Sequence, residues 1–266
     1  MKLFNRNNKD ALKWFVGFAE GDGSWQIDTN ERHKRSIFVI NQERPQVLYK
    51  IKELVGYGQV NGPYENKNGS IYYRYRVGNL EGTRRLIEIF NGNLVLKKTQ
   101  ERFIKYLDMY NRNSFREKQI PLNTNNPLPT LEDAWFSGFI DAEGSFSGTF
   151  RRDKSSGEYV RAEIRFSIVQ KGENEIFQHL KAIFGGSVQY KKTTDISRLM
   201  LSSVKDRNRI IGYLSKYPLH SDKTVPFTRF KKLHVRLTDG KFKWRLESRG
   251  ARERLFTLIR NINKDI

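Results

Sequence analysis

The sequence predicts an α+β protein of two pseudo-symmetric αββαββα halves. Each half has a curved antiparallel sheet backed by helices, and the halves pack through the first helix of each. Three repeated landmarks and two alternating stretches carry this expectation. Trp14-Phe15-Val16-Gly17-Phe18-Ala19-Glu20-Gly21-Asp22-Gly23-Ser24-Trp25 matches Trp135-Phe136-Ser137-Gly138-Phe139-Ile140-Asp141-Ala142-Glu143-Gly144-Ser145-Phe146 at an offset of 121. Phe38-Val39-Ile40-Asn41-Gln42 matches Phe166-Ser167-Ile168-Val169-Gln170 at 128, and Leu94 to Thr99 pairs with Leu219 to Thr224 at 125. Landmarks that recur in one order at nearly constant offset mark an internal duplication.

Each copy opens on a helix. Asp10 and Thr130 are the expected N-caps, the latter with Asp133 three residues on as a variant capping box. Gly17 and Gly21 are four apart, as are Gly138 and Ala142, so each helix carries a stripe with almost no side chain. Such a stripe lets two helix backbones approach closely. Packing against a strand is the alternative, and recurrence in both copies favours helix on helix. Strands follow from period-two alternation. Ala162, Ile164, Phe166 and Ile168 share one parity while Arg161, Glu163, Arg165 and Ser167 share the other, and Tyr73, Tyr75 and Val77 alternate with Tyr72, Arg74 and Arg76. Gly56-Tyr57-Gly58 and Gly185-Gly186 are too degenerate for a nucleotide loop and read as helix-to-strand turns. Between the copies lies a turn-rich stretch with Pro121, Pro127, Pro129 and Asn123-Thr124-Asn125-Asn126. The halves are placed at 1–112 and 130–266, with 113–129 as linker.

The bulk numbers exclude several classes. Lys and Arg total 49 against 29 acidic residues, a net charge of +20 that favours a polyanionic partner. No apolar run has the length of a transmembrane helix, so no membrane partner is expected, and Met1 to Asn5 has no signal-peptide core. The absence of cysteine rules out disulfides, thiolate catalysis and Cys-containing zinc modules. His33, His179, His220 and His234 show no short metal-ligand spacing, so hydrolytic chemistry must rest on carboxylates and lysines.

Asp22 and Glu143 stand just past the small-residue stripes, where the helix dipole is negative. Two carboxylates brought together there repel each other and call for a cation, and all-oxygen ligation suits Mg²⁺. Backbone N–H bonding in a tight glycine-flanked turn is the bland alternative. Metal ions between two acids can neutralise a scissile phosphate and acidify water without a histidine. Lys98 and Lys223, equivalent in the two copies, read either as charge stabilisers near that centre or as surface lysines beside DNA. Gln42 and Gln170 lie on the apolar parity of their strands and read as residues positioning the water, or as core amides bonded to backbone. Glu20 and Asp141 read as structural.

The two segments resemble the paired motif of LAGLIDADG homing endonucleases, whose pattern fits Phe15 to Gly23 and Phe136 to Gly144. The resemblance extends over nearly the whole chain. Phe15, Phe18, Phe136 and Phe139 stand where the family pattern has aliphatic letters, and the acids are an Asp/Glu pair instead of two Asp. It implies a single-chain, monomeric DNA endonuclease in which Asp22 and Glu143, with the carbonyls of Gly21 and Ala142, hold metal ions that activate water and stabilise the leaving 3′ oxygen. The extra methylene of Glu143 makes the two strand cuts chemically unequal.

Base readout is expected from the polar parity of the strands, because Gln, Asn, Arg and acidic side chains can pair with base edges in the major groove. That parity gives Ser24, Gln26, Asp28, Asn30, Arg74 and Arg76 in one half. In the other it gives Ser145, Ser147, Thr149, Arg151, Arg161, Glu163, Arg165 and Arg198. Lys241-Phe242-Lys243-Trp244-Arg245 reads as flanking phosphate contact or as core. The expected cofactor is Mg²⁺, with Mn²⁺ substituting and Ca²⁺ binding without turnover. Double-stranded DNA is the expected partner and intron RNA a second one. The rival functions are an intron maturase on the same scaffold and a noncatalytic DNA-binding regulator. Asn- and Lys-rich composition without a targeting peptide fits an organelle intron product, in mitochondrion or chloroplast.

Overall fold

The computed structural model describes residues 8–28, 34–113, 119–125, 127–152, 155, 159–238 and 249–264. By contact the chain divides into two compact units, Met1–Ala142 and Glu143–Ile266.

The first unit runs α1 (Lys9–Asp22), β1 (Gly23–Asp28), β2 (Arg35–Gln42), α2 (Gln46–Val55), β3 (Gln59–Glu65), β4 (Ile71–Val77), α3 (Leu80–Phe90) and α4 (Lys97–Asn113), then α5 (Trp135–Glu143) as far as Ala142. Its strands form one antiparallel sheet in the order β1-β2-β4-β3. The even-numbered residues Phe38 and Ile40 of β2 and the odd-numbered Tyr75 and Val77 of β4 turn toward the helices and are at most 1% exposed. Four aromatic rings close this core: the Phe90 ring lies 5.3 Å from Phe15 and 5.5 Å from Phe38, tilted to both, and 5.2 Å from Trp25, edge to face. Burying such rings is worth about 1.5–3 kcal/mol each, which is why a sheet with one polar face stays attached to its helices.

The caps differ from the sequence expectation. Asn8, not Asp10, caps α1: its Oδ1 accepts the N–H groups of Asp10 and Ala11 at 3.0 and 3.4 Å. Both residue types make good caps, and Asp10 falls in the first turn, where its charge opposes the helix dipole. Thr130 and Asp133 do pair, with Thr130 N–H and Oγ1 both donating to Asp133 Oδ2 at 3.0 and 2.6 Å. The pair forms a turn ahead of the helix, however. It is Asp133 Oδ1 that accepts Trp135 N–H at 2.9 Å where α5 begins.

Within the connecting stretch, residues 119–125 are tied to the first unit by two asparagines acting as substitute backbone. Asn111 donates to Ile120 O at 2.9 Å and accepts Ile120 N–H at 3.0 Å, while Asn91 donates to Pro121 O at 2.9 Å and accepts Asn123 N–H at 2.8 Å.

The second unit runs β5 (Ser145–Arg152), β6 (Tyr159–Lys171), α6 (Asn174–Phe184), β7 (Ser187–Lys191), β8 (Ile196–Leu201), α7 (Val204–Lys216), α8 (Thr224–Thr238) and α9 (Arg249–Arg260). Its sheet order, β5-β6-β8-β7, repeats the first topology. Phe146 lies 5.3 Å from Phe166 and 5.2 Å from Phe230, binding the sheet to α8. Helix α9 packs on β5, where Phe256 meets Phe150 at 5.3 Å. Gly185 and Gly186, with φ of 83° and 78°, turn the chain from α6 into β7, and Gly56 at 81° does the same after α2. The left-handed backbone explains the glycines without a ligand. His234, 5% exposed, is structural too: Arg207 Nε donates to its Nδ1 at 3.1 Å, and its Nε2 faces Asn208 Oδ1 at 2.6 Å. Burial, then the Arg207 charge, lowers its pKa and keeps the ring neutral.

Candidate carboxylate sites and nucleic-acid interface

Helices α1 and α5 meet at their glycines. A Cβ built on Gly17 would lie 1.9 Å from Trp135 O, and one on Gly138 1.8 Å from Trp14 O. Gly17 and Gly138, the first residue of each stripe, thus serve helix-on-helix contact, at backbone distance. A reciprocal pair of buried hydrogen bonds braces the crossing: Trp14 Nε1 donates to Asp141 Oδ2 at 2.8 Å, and Trp135 Nε1 donates to Glu20 Oε2 at 2.6 Å. Glu20 also accepts the N–H groups of Val95 and Leu96, at 2.9 and 2.7 Å, just ahead of α4. Its charge therefore sits where a helix N-terminus favours it. These bonds account for Glu20 and Asp141, 4% and 3% exposed, as structural acids. Glu20→Gln should lower stability by about 1.5–3 kcal/mol, because an amide nitrogen then confronts N–H donors the carboxylate satisfied. Thermal unfolding measures it; an unchanged midpoint would mean the brace contributes nothing.

Asp22 is the last residue of α1 and Glu143 the last of α5, and both side chains are half-buried. Gln42, at the end of β2, donates from Nε2 to Asp22 Oδ2 at 2.7 Å. This bond fixes one oxygen of the carboxylate and turns Gln42 toward the acid instead of the backbone. In the second unit Gln170 lies opposite Ser197 in the β6/β8 register and is half-buried. Lys98 is exposed in the first turn of α4, the helix whose start Glu20 holds, and half-buried Lys223 directly precedes α8. Among the described residues no three His, Cys, Asp or Glu side chains gather into a metal cluster. The donor set that remains, one carboxylate at a helix end beside the carbonyl of Gly21 or Ala142, is all oxygen. It fits a hard divalent cation that completes its shell with water and phosphate oxygens.

The face of each sheet away from the helices carries the polar residues. In the first, register sets Ser24 opposite Val39, Arg76 and Gln59 in one row, Gln26 opposite Ile37, and Asn41, Arg74 and Asn61 in another. Gln26, Asp28, Ile37, Val39, Arg74 and Arg76 line a concavity of about 350 Å³. In the second sheet Ser145 faces Ser167, Ser147 faces Arg165, Thr149 faces Glu163, and Arg198 lies between Val169 and Gln189. Arg151 and Arg161 pair with each other by backbone register. Asn30 and the segment Lys241 to Arg245 lie outside the described residues.

The structure adds Arg35, Asn41, Gln59 and Asn61 to the first polar face, and Gln189 and Lys191 to the second. Gln59-Val60-Asn61 carries a short alternation that signals this. Asn41 does not, because its neighbours Val39 and Ile37 are apolar on the same face, each 6% exposed.

Taken together, these features define a tandem-repeat α+β protein with an acid at the end of each repeat's first helix and a polar sheet face beside it. The chain belongs to the LAGLIDADG endonuclease family, whose model matches residues 15–112 and 136–234. It is 32% identical over 231 residues to the "Probable intron-encoded endonuclease 4" of Neurospora crassa, covering 86% of this chain and 40% of that relative. It is 26% identical over 192 residues to the "Intron-encoded RNA maturase bI4" of Saccharomyces cerevisiae, covering 71% of this chain and 27% of the relative. This chain thus spans less than half the length of either. Its fold matches that of I-SmaMI bound to uncleaved DNA target in the presence of calcium ions, with a TM-score of 0.70 at 16% identity over 95% of this chain and 99% of that one.

Proposed function

We propose that this chain is a sequence-specific, metal-dependent double-strand DNA endonuclease of the homing type, acting as a monomer. The observation that carries the reading is the pairing of an Arg- and Gln-bearing polar sheet face with a helix-end carboxylate in each repeat, Asp22 being fixed by Gln42 at 2.7 Å. The repeat boundaries 1–112 and 130–266 are proposed as the functional halves, one per half-site. Asp22 and Glu143, with the carbonyls of Gly21 and Ala142, are the proposed metal-holding groups, one set per half. Mg²⁺ bound there supplies charge against the scissile phosphate and lowers the pKa of the attacking water. The chain's own residues do the rest: Gln42 and Gln170 orient water, Lys98 and Lys223 add positive charge, and the sheet residues named above hold the duplex in register. Mn²⁺ is expected to substitute and Ca²⁺ to support binding without turnover.

The site is proposed to be long and not perfectly palindromic, since Gln26 and Asp28 do not match Ser147 and Thr149. The cut is proposed to leave 3′ overhangs, because phosphates approached across the minor groove are staggered toward their 3′ sides. Selection from a library of cleavable duplexes in Mg²⁺, with both cut strands mapped on a sequencing gel, tests these points together; short, symmetric or 5′-protruding products contradict them. DNA binding should also weaken steeply with salt, with a log-log slope of about −0.9 per neutralised phosphate. A flat response, measured by fluorescence anisotropy, would remove the phosphate-tracking role of the +20 charge.

A second reading, intron-RNA binding in splicing, is favoured by the yeast maturase relative. Retention of both acids supports cleavage, and an intron-RNA binding assay beside the nicking assay separates the two. A noncatalytic regulator would bind DNA and cut nothing. Organelle origin, mitochondrial or chloroplast, is proposed from the intron-encoded relatives. Among the described residues no helix is long and apolar enough to cross a membrane.

A further inference from the structure

At the end of the first sheet that lies beside Asp22, a group of side chains surrounds Arg74, which pairs with Asn41 next to the Gln42 that bonds the acid. Arg74 Nε donates to Asn41 Oδ1 at 3.0 Å, and its Nη2 donates to the Tyr72 hydroxyl at 3.3 Å. The guanidinium carbon lies 5.5 Å from the Tyr64 ring centre and 5.6 Å from that of Tyr72, and the two rings are 5.4 Å apart. Tyr64 reaches this place through a register shift in the β3/β4 ladder: Asn61 pairs with Arg74, but the next pair is Tyr64 with Tyr72. The irregularity brings a β3 aromatic alongside one from β4.

A guanidinium has five N–H donors in a planar fork. Asn41 takes Nε–H and Tyr72 takes one of the Nη2 hydrogens, which leaves three on the Nη1/Nη2 end. That end can make two parallel bonds. The two tyrosine rings fix the plane by cation–π contact, and the asparagine fixes its rotation, so little side-chain entropy is left to lose on binding. A planar pair of donors held rigidly on a strand fits the O6 and N7 acceptors of guanine in the major groove, the commonest specific contact of arginine.

We infer that Arg74, positioned by Asn41, Tyr72 and Tyr64, reads one guanine in the first half-site. Arg74 touches the base, whereas the other three act through it. The inference rests on the DNA-binding reading above and goes beyond it in naming one base and the residues that orient its reader. A mobile arginine on a phosphate would need neither clamp nor stack.

The experiment uses the full chain in Ca²⁺, so that binding is read without cutting. Wild type is first used to enrich a site from a randomised duplex library, and each base pair of that site is then varied singly against wild type, Arg74→Lys, Asn41→Ala and Tyr72→Phe. Wild type should prefer guanine at one position by about 10-fold or more, the discrimination a bidentate contact gives. Arg74→Lys, which keeps the charge but loses the fork, should flatten that position to about 2-fold and leave the others alone. Asn41→Ala and Tyr72→Phe should blur the same position by a smaller factor. Uniform weakening across all sequences in Arg74→Lys assigns Arg74 to phosphate and overturns the inference, as does an unchanged profile. If wild type enriches no sequence, the DNA-binding reading fails as well; if it enriches one that the variants read identically, only the role of Arg74 fails. Matching thermal midpoints for the four proteins show that each profile is read from folded chain.

Discussion

Asp22→Asn and Glu143→Gln are each expected to abolish double-strand cleavage in Mg²⁺ while specific DNA binding in Ca²⁺ stays within a few-fold of wild type. Each change removes one negative charge and alters the shape of the side chain very little. Asp22→Asn keeps an oxygen able to accept from Gln42, whose bond to Asp22 is 2.7 Å long, so the local packing has no reason to collapse. What is lost is the charge proposed to hold a hard cation against phosphate. Metal stabilisation of a transferring phosphate is worth several kcal/mol, and each 1.4 kcal/mol is tenfold in rate, so turnover should fall on the order of 10³-fold. Nicked intermediates are the informative product, because the acids differ by a methylene and the two strands need not be cut at equal rates. A double-strand break rate near wild type in either variant would remove that acid from the chemistry. The same measurement on Gln42→Ala should show a smaller loss, since that change frees the carboxylate's orientation but keeps its charge.

Much of this arrangement was legible in the sequence because it is periodic or repeated. The glycine stripes, the helix-end acids, the alternation at 162–168 and the Arg74/Arg76 pair are all patterns of spacing, and the two sheets fall on them. Glu20 and Asp141 could be set aside as structural, although nothing in the spacing tells that each would accept an indole N–H from the partner helix. Other features depend on contacts that have no period. The cap at Asn8 competes with an equally good candidate two residues on, and only the backbone decides between them. The asparagine clamps at Asn91, which follows α3, and Asn111, inside α4, carry no periodic signal, and only the path of the connecting stretch they bond reveals them. The same holds for Asn41: on a central strand, whose Ile37 and Val39 are buried on the polar side as well, alternation of character is lost and the polar face is visible only from the ladder.

The largest structural effect is expected at the helix crossing. Gly17→Leu or Gly138→Leu places a side chain where the partner backbone already is, since even the first carbon of any replacement falls 1.9 Å or 1.8 Å from a carbonyl oxygen. No rotamer relieves a clash at Cβ, and the obstacle is helix backbone, so α1 and α5 must move apart. Separation would stretch the 2.8 Å and 2.6 Å indole bonds to Asp141 and Glu20 and leave buried carboxylates short of donors. Overpacking alone costs about 1–3 kcal/mol and occasionally more, and each unsatisfied buried group adds about 1–3 kcal/mol. The midpoint of thermal unfolding should therefore fall by roughly 10 °C or more, at about 2–4 °C per kcal/mol for a chain of this size. Even Gly17→Ala should be strongly destabilising, which separates this site from ordinary glycine positions in helices. Gly212 in α7 is the control: a Cβ there meets nothing within 4 Å, so Gly212→Ala should stabilise by about 0.5–1 kcal/mol through helix propensity. Equal midpoints for Gly17→Ala and Gly212→Ala would mean that the two helices do not meet at backbone distance.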